Sequence, residues 1–149
     1  MVEGLIAVVV VLAAASAAGF ALRSRQGRFR PGAPVPATSS GDVLSAVDLG
    51  APLGARATLV QFSTEVCAYC GPTRELLAEV AAERDGVAFV EIDAAARMDL
   101  TRRLRVLSTP TVFVLDALGG ITSRASGPLR KADLLTAVVA VQPMAGDAS

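Results

Sequence analysis

The sequence predicts an α/β chain, a mixed β-sheet flanked by helices, preceded by one N-terminal transmembrane helix. Three observations predict it. From residue 42 onward, short β-branched runs alternate with amphipathic helical patterns, an order that builds a sheet covered by helices. The last two of those runs are joined by a short Gly-containing connection, which suits a hairpin and so mixes antiparallel pairing into the sheet. Ahead of the domain, residues 5–22 (LIAVVVVLAAASAAGFAL) carry no charge over 18 residues. As a helix this run spans roughly 27 Å at ~1.5 Å per residue, enough to cross a bilayer.

Residues 1–30 therefore read as a membrane anchor with a basic flank. Ala15-Ser16-Ala17 resembles a small-residue cleavage site, yet Met-Val-Glu-Gly before the run holds no Lys or Arg, which a secretory signal needs. The basic residues Arg23, Arg25, Arg28 and Arg30 all follow the run, and such clusters stay on the cytoplasmic side. The expected topology puts the N-terminus outside and the domain in the cytoplasm. Residues 31–41 (PGAPVPATSSG) are rich in proline with a Ser/Thr/Gly end, a spacer too polar and stiff to pack. The domain is expected over residues 42–142, and residues 143–149 as a frayed polar tail.

Within the domain, residues 58–62 (TLVQF) suit a strand. Leu76, Leu77 and Val80 among Glu75, Glu79 and Glu83 give the next segment an amphipathic helical period. Pro72 suits the first position of that helix, which sets its start at Gly71. Residues 87–92 (VAFVEI) read as the second strand. A helix follows near residues 97–105, with Arg102, Arg103 and Arg105 in its last turn, where the helix dipole favours cations. Residues 111–115 (TVFVL) and 121–125 (ITSRA) flank the hairpin connection, and residues 131–141 form a last helix with Leu134, Leu135 and Val138 on one face. No internal repeat is visible.

Composition excludes several functions. The chain has 149 residues, 52% of them hydrophobic, enough for one ordinary domain plus an appendage. Formal charge balances, and with Glu3 the only acid before Arg30, the rest of the chain is mildly acidic and offers no basic patch for nucleic acid. All basic residues but Lys131 are Arg, and Ala is abundant, the bias of a GC-rich bacterial genome. There is no histidine, which removes the usual imidazole ligand and the usual neutral-pH base together. Two cysteines alone cannot close a four-coordinate zinc site, so no metal is expected.

Those two cysteines lie in Val66-Cys67-Ala68-Tyr69-Cys70-Gly71-Pro72. A bridge across two residues closes too small a loop to stabilise a fold much, so the pair reads as chemistry. Cys67 follows a strand and precedes a helix, at or near a helix N-terminus, where unpaired N–H groups and the dipole favour a thiolate. That makes Cys67 the attacking sulfur. Cys70, one helical turn away, is in reach to displace the substrate from the mixed disulfide and close the internal bridge.

Over roughly residues 55–141 the sequence resembles the thioredoxin superfamily. The matching features are the strand leading into Cys67-Ala68-Tyr69-Cys70, the segment Ser108-Thr109-Pro110-Thr111 before a β-rich run, and Gly127 after the hairpin. The resemblance implies a thioredoxin-like fold, a cis peptide bond before Pro110, a loop at Pro110 lying against the dithiol, and Thr109 offering backbone groups to a substrate strand. Tyr69 is expected to be a partly exposed aromatic that touches partners. The chain departs from the family pattern at Val66, where Trp is usual, at Ala68-Tyr69, where Gly-Pro is usual, and at Gln61, which stands where the family has a buried Asp. Gln cannot take a proton, so release of the Cys70 proton would fall to water or to Glu65.

These readings describe a membrane-anchored thioredoxin-like thiol-disulfide oxidoreductase working mainly as a protein-disulfide reductase. Its substrates would be disulfide-containing proteins, its electron donor is not named by the sequence, and it needs no cofactor. Two alternatives stay open: an extracytoplasmic protein resembling the cytochrome-maturation thioredoxins, and a non-catalytic redox-sensing or adaptor module.

Overall fold

The structure is a computed structural model that describes residues 2–25, 30–31 and 43–141. Along the chain the elements are α1 (Val2–Arg25), β1 (Arg30–Pro31), α2 (Ala46–Leu49), β2 (Ala57–Ser63), α3 (Cys70–Ala82), β3 (Val87–Asp93), α4 (Met98–Arg103), β4 (Thr111–Asp116), β5 (Ile121–Ser126) and α5 (Lys131–Ala140). The sheet runs in the order β1-β5-β4-β2-β3. β2 pairs in parallel with β3 and antiparallel with β4, and β5 is antiparallel to β4, so the predicted mixed sheet is present. The two-residue β1 joins the edge of β5, at Arg30 opposite Arg124. The expected spacer beyond residue 31 and the expected tail lie outside the described residues.

Central β2 is buried along its whole length, which is why it reads as a nearly unbroken apolar run rather than an alternating one. Val60 and Phe62 join Val90, Ile92, Phe113 and Leu115 in a core closed by Leu49 of α2 and Leu100 of α4. Ala57 and Leu59 join Val112 and Val114 in a second core, closed by Leu77 and Val80 of α3 and Leu134 and Val138 of α5. In α3 the buried residues are Cys70, Thr73, Leu77 and Val80, the three-and-four spacing of one helical face. The first buried position on that face is thus a cysteine.

The strands β2 to β5 run one residue or so past their expected ends and α5 stops one residue short, and the helices α2, α4 and α3 differ for identifiable reasons. α2 was not expected; it is held locally by a capping box, with Ser45 N–H donating to Asp48 at 2.9 Å and Asp48 N–H to Ser45 Oγ at 3.2 Å. α4 is shorter than residues 97–105, because Arg105 takes a left-handed conformation, φ 50°, and Arg124 of β5 takes the Leu104 and Arg105 carbonyls at 2.8 Å each. Arg102 and Arg103 stand in its last turn, and Arg105 lies past it. α3 begins at Cys70 rather than Gly71. Pro72 falls in the first turn, where a missing N–H leaves no intrahelical bond unmade.

α1 contains the uncharged run of the sequence, and its side chains at residues 8–20 are exposed all round. Among the described residues no helix is long and apolar enough to cross a membrane. The expected membrane-spanning helix is therefore not found among the described residues.

Candidate active site

Cys67 and Cys70 are joined by a disulfide, with Cα atoms 5.4 Å apart, within the range such bonds need. Two successive tight turns carry the chain from the end of β2 into α3. Cys67 N–H donates to the Thr64 carbonyl and Cys70 N–H to the Cys67 carbonyl, each at 3.2 Å. Cys67 thus sits one turn ahead of the helix, near its N-terminus, and it is Cys70 that opens it. The two sulfurs are unequally accessible: Cys67 is half-buried, whereas Cys70 is 3% exposed.

The Pro110 loop is joined to the segment that enters this turn. Thr109–Pro110 is cis, and Thr109 Oγ1 lies 3.0 Å from Thr64 Oγ1, a hydroxyl pair that ties the loop to the segment entering the cysteines. Thr111 Oγ1 donates to the Ser108 carbonyl at 2.7 Å, and Gly127 N–H donates to the Pro110 carbonyl at 2.8 Å. Gly127 has φ 88°, a backbone state that glycine adopts without penalty. Around the pair Tyr69 is 51% exposed, Leu107 92% and Val66 95%. A mainly apolar cavity of about 320 Å³ is lined by Thr64, Met98, Val106, Leu107 and Thr109 among others.

Beneath the pair the chemistry turns polar. Gln61, on β2, is fully buried and donates from Nε2 to the Cys70 carbonyl at 2.9 Å. Its neighbour in register on β3 is Glu91, which accepts from Arg74 Nε and Nη2 and from Ser63 Oγ, all at 2.7 Å. The Arg74 side chain holds the Glu91 carboxyl below its usual range, against the opposing effect of burial and with help from Ser63. Ser63, Thr64, Glu65, Arg74, Glu91 and Asp93 line a second cavity of about 330 Å³. Glu65 is exposed, and among the described residues it makes no hydrogen bond to either cysteine.

The family model described as thioredoxin matches residues 52–140, more than half of the chain. The chain belongs to the thioredoxin family. A comparison with curated proteins returns no match. Among solved structures it is similar to a thioredoxin from Fasciola hepatica, with 20% identity and TM-score 0.53 over 60% of this chain and 84% of that one. It is also similar to the thioredoxin NaTrxh from Nicotiana alata, with 23% identity and TM-score 0.52 over 58% of this chain and 74% of that one. At such identities these likenesses speak for the fold.

As a thioredoxin-family chain it brings the two cysteines, Thr109 and Pro110 to one end of the sheet, with Tyr69 exposed beside them. The Arg74–Glu91–Ser63 group was not expected from the sequence. Part of its signal was present: Gln61 and Ser63 are polar residues two apart at the end of a buried strand, which puts both on one face.

Proposed function

We propose that this thioredoxin-fold protein, with its Cys-X-X-Cys pair at disulfide distance, reduces or exchanges disulfides of other proteins. The observation that carries the reading is the unequal exposure of a bridged pair. In the reduced state the half-buried Cys67 thiolate attacks a substrate disulfide, forms a mixed disulfide and releases one substrate thiolate. The buried Cys70 then gives up its proton, and its thiolate attacks Cys67 Sγ, releasing the second substrate thiolate and leaving the internal bridge. The substrate gains two electrons and two protons, and a dithiol donor returns them to the pair.

Thr109 beside the pair, exposed Tyr69 and the apolar cavity under Leu107 support binding of an extended substrate segment by this end of the sheet. The membrane anchor belongs to the same proposal. It is supported by the uncharged run within α1, by the apolar exposure of that helix at residues 8–20, and by the arginines that follow, which favour a cytoplasmic domain.

The test is a Cys70→Ser variant, which allows the first attack and blocks resolution. It is expected to accumulate covalent adducts with disulfide-containing proteins that reductant releases, and Cys67→Ser to abolish both these adducts and insulin reduction. Adducts that survive the loss of Cys67 would defeat the assignment. Labelling Cys67 in intact cells with a membrane-impermeant thiol reagent separates a cytoplasmic domain, which stays unlabelled, from an extracytoplasmic one.

A further inference from the structure

Gln61 is a buried polar group, in contact with Cys70, that the exchange cycle leaves unused. It lies on the central strand at 0% exposure, and its amide is half satisfied: Nε2 donates to the Cys70 carbonyl, while Oε1 has no partner among the described residues. The orientation of the amide follows from the first contact, since turning it over would set Oε1 against the Cys70 carbonyl, acceptor on acceptor. A buried amide acceptor without a protein partner is unfavourable, and native folds rarely keep one without a use.

Reduction supplies a donor on the residue that its other end already holds. When the bridge takes up two electrons and two protons it becomes two thiols, and the buried Cys70, the residue Gln61 already holds, gains an S–H. We infer that Gln61 Oε1 accepts a hydrogen bond from the Cys70 thiol in the reduced protein, so that Gln61 is a positioning residue favouring the dithiol over the disulfide. The inference rests on the dithiol cycle proposed above.

Two consequences follow from holding the neutral thiol. The Cys70 thiolate becomes scarcer, because a hydrogen bond to the protonated form opposes ionisation, and the mixed disulfide with substrate lives longer. The pair also becomes easier to reduce, because its reduced form is the one stabilised. Gln61 is not a base in this scheme; the Cys70 proton leaves to water, and the amide only sets how readily it goes.

The test equilibrates the full chain, as wild type, Gln61→Met and Gln61→Glu, with glutathione redox buffers and measures the ratio of dithiol to disulfide. Met is unbranched and near in length but lacks the amide, whereas Glu keeps an acceptor. Gln61→Met is expected to shift the equilibrium toward the disulfide by about two- to tenfold, the worth of one neutral hydrogen bond, and Gln61→Glu at mildly acid pH is expected to stay near wild type.

Infrared spectroscopy of the reduced wild type should show an S–H stretch lowered by the bond, and this reads the contact directly even where Gln61→Met does not fold. Because the Met variant also loses the bond to the Cys70 carbonyl, unfolding midpoints are compared in both redox states. A larger loss in the reduced state supports the inference. An equal loss in both states, an unchanged equilibrium or an unshifted S–H band overturns it and leaves the dithiol cycle intact. A wild-type bridge that resists reduction altogether overturns both.

Discussion

The two sides of the sheet are built from the same strands and carry different chemistry. Toward α2 and α4 the strands present Val60, Phe62, Val90, Ile92, Phe113 and Leu115, and the rings of Phe62 and Phe113 meet edge to face with centroids 5.7 Å apart. Toward α3 and α5 they present Leu59 and Val114 at one end, and Gln61 with Val112 paired beside it, Ser63 and Glu91 at the other, under Cys70 and Arg74. Gln61 and Phe62 are adjacent in sequence and both wholly buried, so burial does not distinguish them. The distinction is that the side of Phe62 keeps its buried polar residues, Thr58 and Thr111, near strand ends with each hydroxyl bonded to a backbone group, whereas the other carries its polar group where the disulfide sits. The apolar core on each side is the foundation of the fold, and the polar group of the second side lies against Cys70.

The largest effect that can break this contrast is on stability. Phe62→Ala removes a fully buried ring and its edge-to-face partner contact, and is expected to destabilise the domain by about 3–5 kcal/mol in urea denaturation. A loss under about 1 kcal/mol would mean that the apolar side is not the foundation described here.

Next in size is Arg124→Ala. Arg124 extends the apolar side with a cation: its guanidinium carbon lies 5.1 Å from the centre of the Phe113 ring, and its two forks take the carbonyls that end α4. Burial alone pushes its pKa down from the usual guanidinium value. Loss of these bonds should lower stability by about 2 kcal/mol, the usual worth of hydrogen bonds to a charged group. Arg124→Lys should recover little of it, since an ammonium cannot fork to two carbonyls and cover a ring together. Equal stability of the Lys variant and wild type would reduce the role of Arg124 to charge alone.

How much of this was legible in the sequence depends on whether the cause is local. β2 to β5 could be read because each apolar run carries its own pattern, and the cysteines and Thr109-Pro110 because their chemistry lies within a few consecutive residues. α2 could not be read from periodicity, since four residues hold no helical period and Ser45 with Asp48 does the work of fixing it. β1 offers two residues in a proline-rich segment and gave no strand signal. The Arg74–Glu91–Ser63 group joins three segments and exists only through the β2–β3 register that sets Gln61 beside Glu91. No pattern along the chain states that register. The start of α3 was misjudged by one residue because Pro72 is tolerated throughout a first turn and so marks the turn rather than its first position.

The smallest predicted effect sharpens the contrast from the polar end. Glu91 is held below the usual carboxylate range chiefly by the Arg74 side chain, so its contribution to stability is fully present above the unfolded value of about 4.3. As the pH drops through the lower folded value the carboxyl is protonated in both states, and the contribution disappears. Glu91→Gln should therefore be slightly less stable than wild type at neutral pH, and the gap should close as the solution is acidified. The effect is expected to be small because the Arg74 side chain is 51% exposed and the pair is screened by solvent. Urea midpoints of the two proteins across that pH range measure it. A gap that widens on acidification would show that Glu91 is not held ionised by Arg74, and a gap as large as that of Phe62→Ala would mean that the polar end carries the fold as much as the apolar side does.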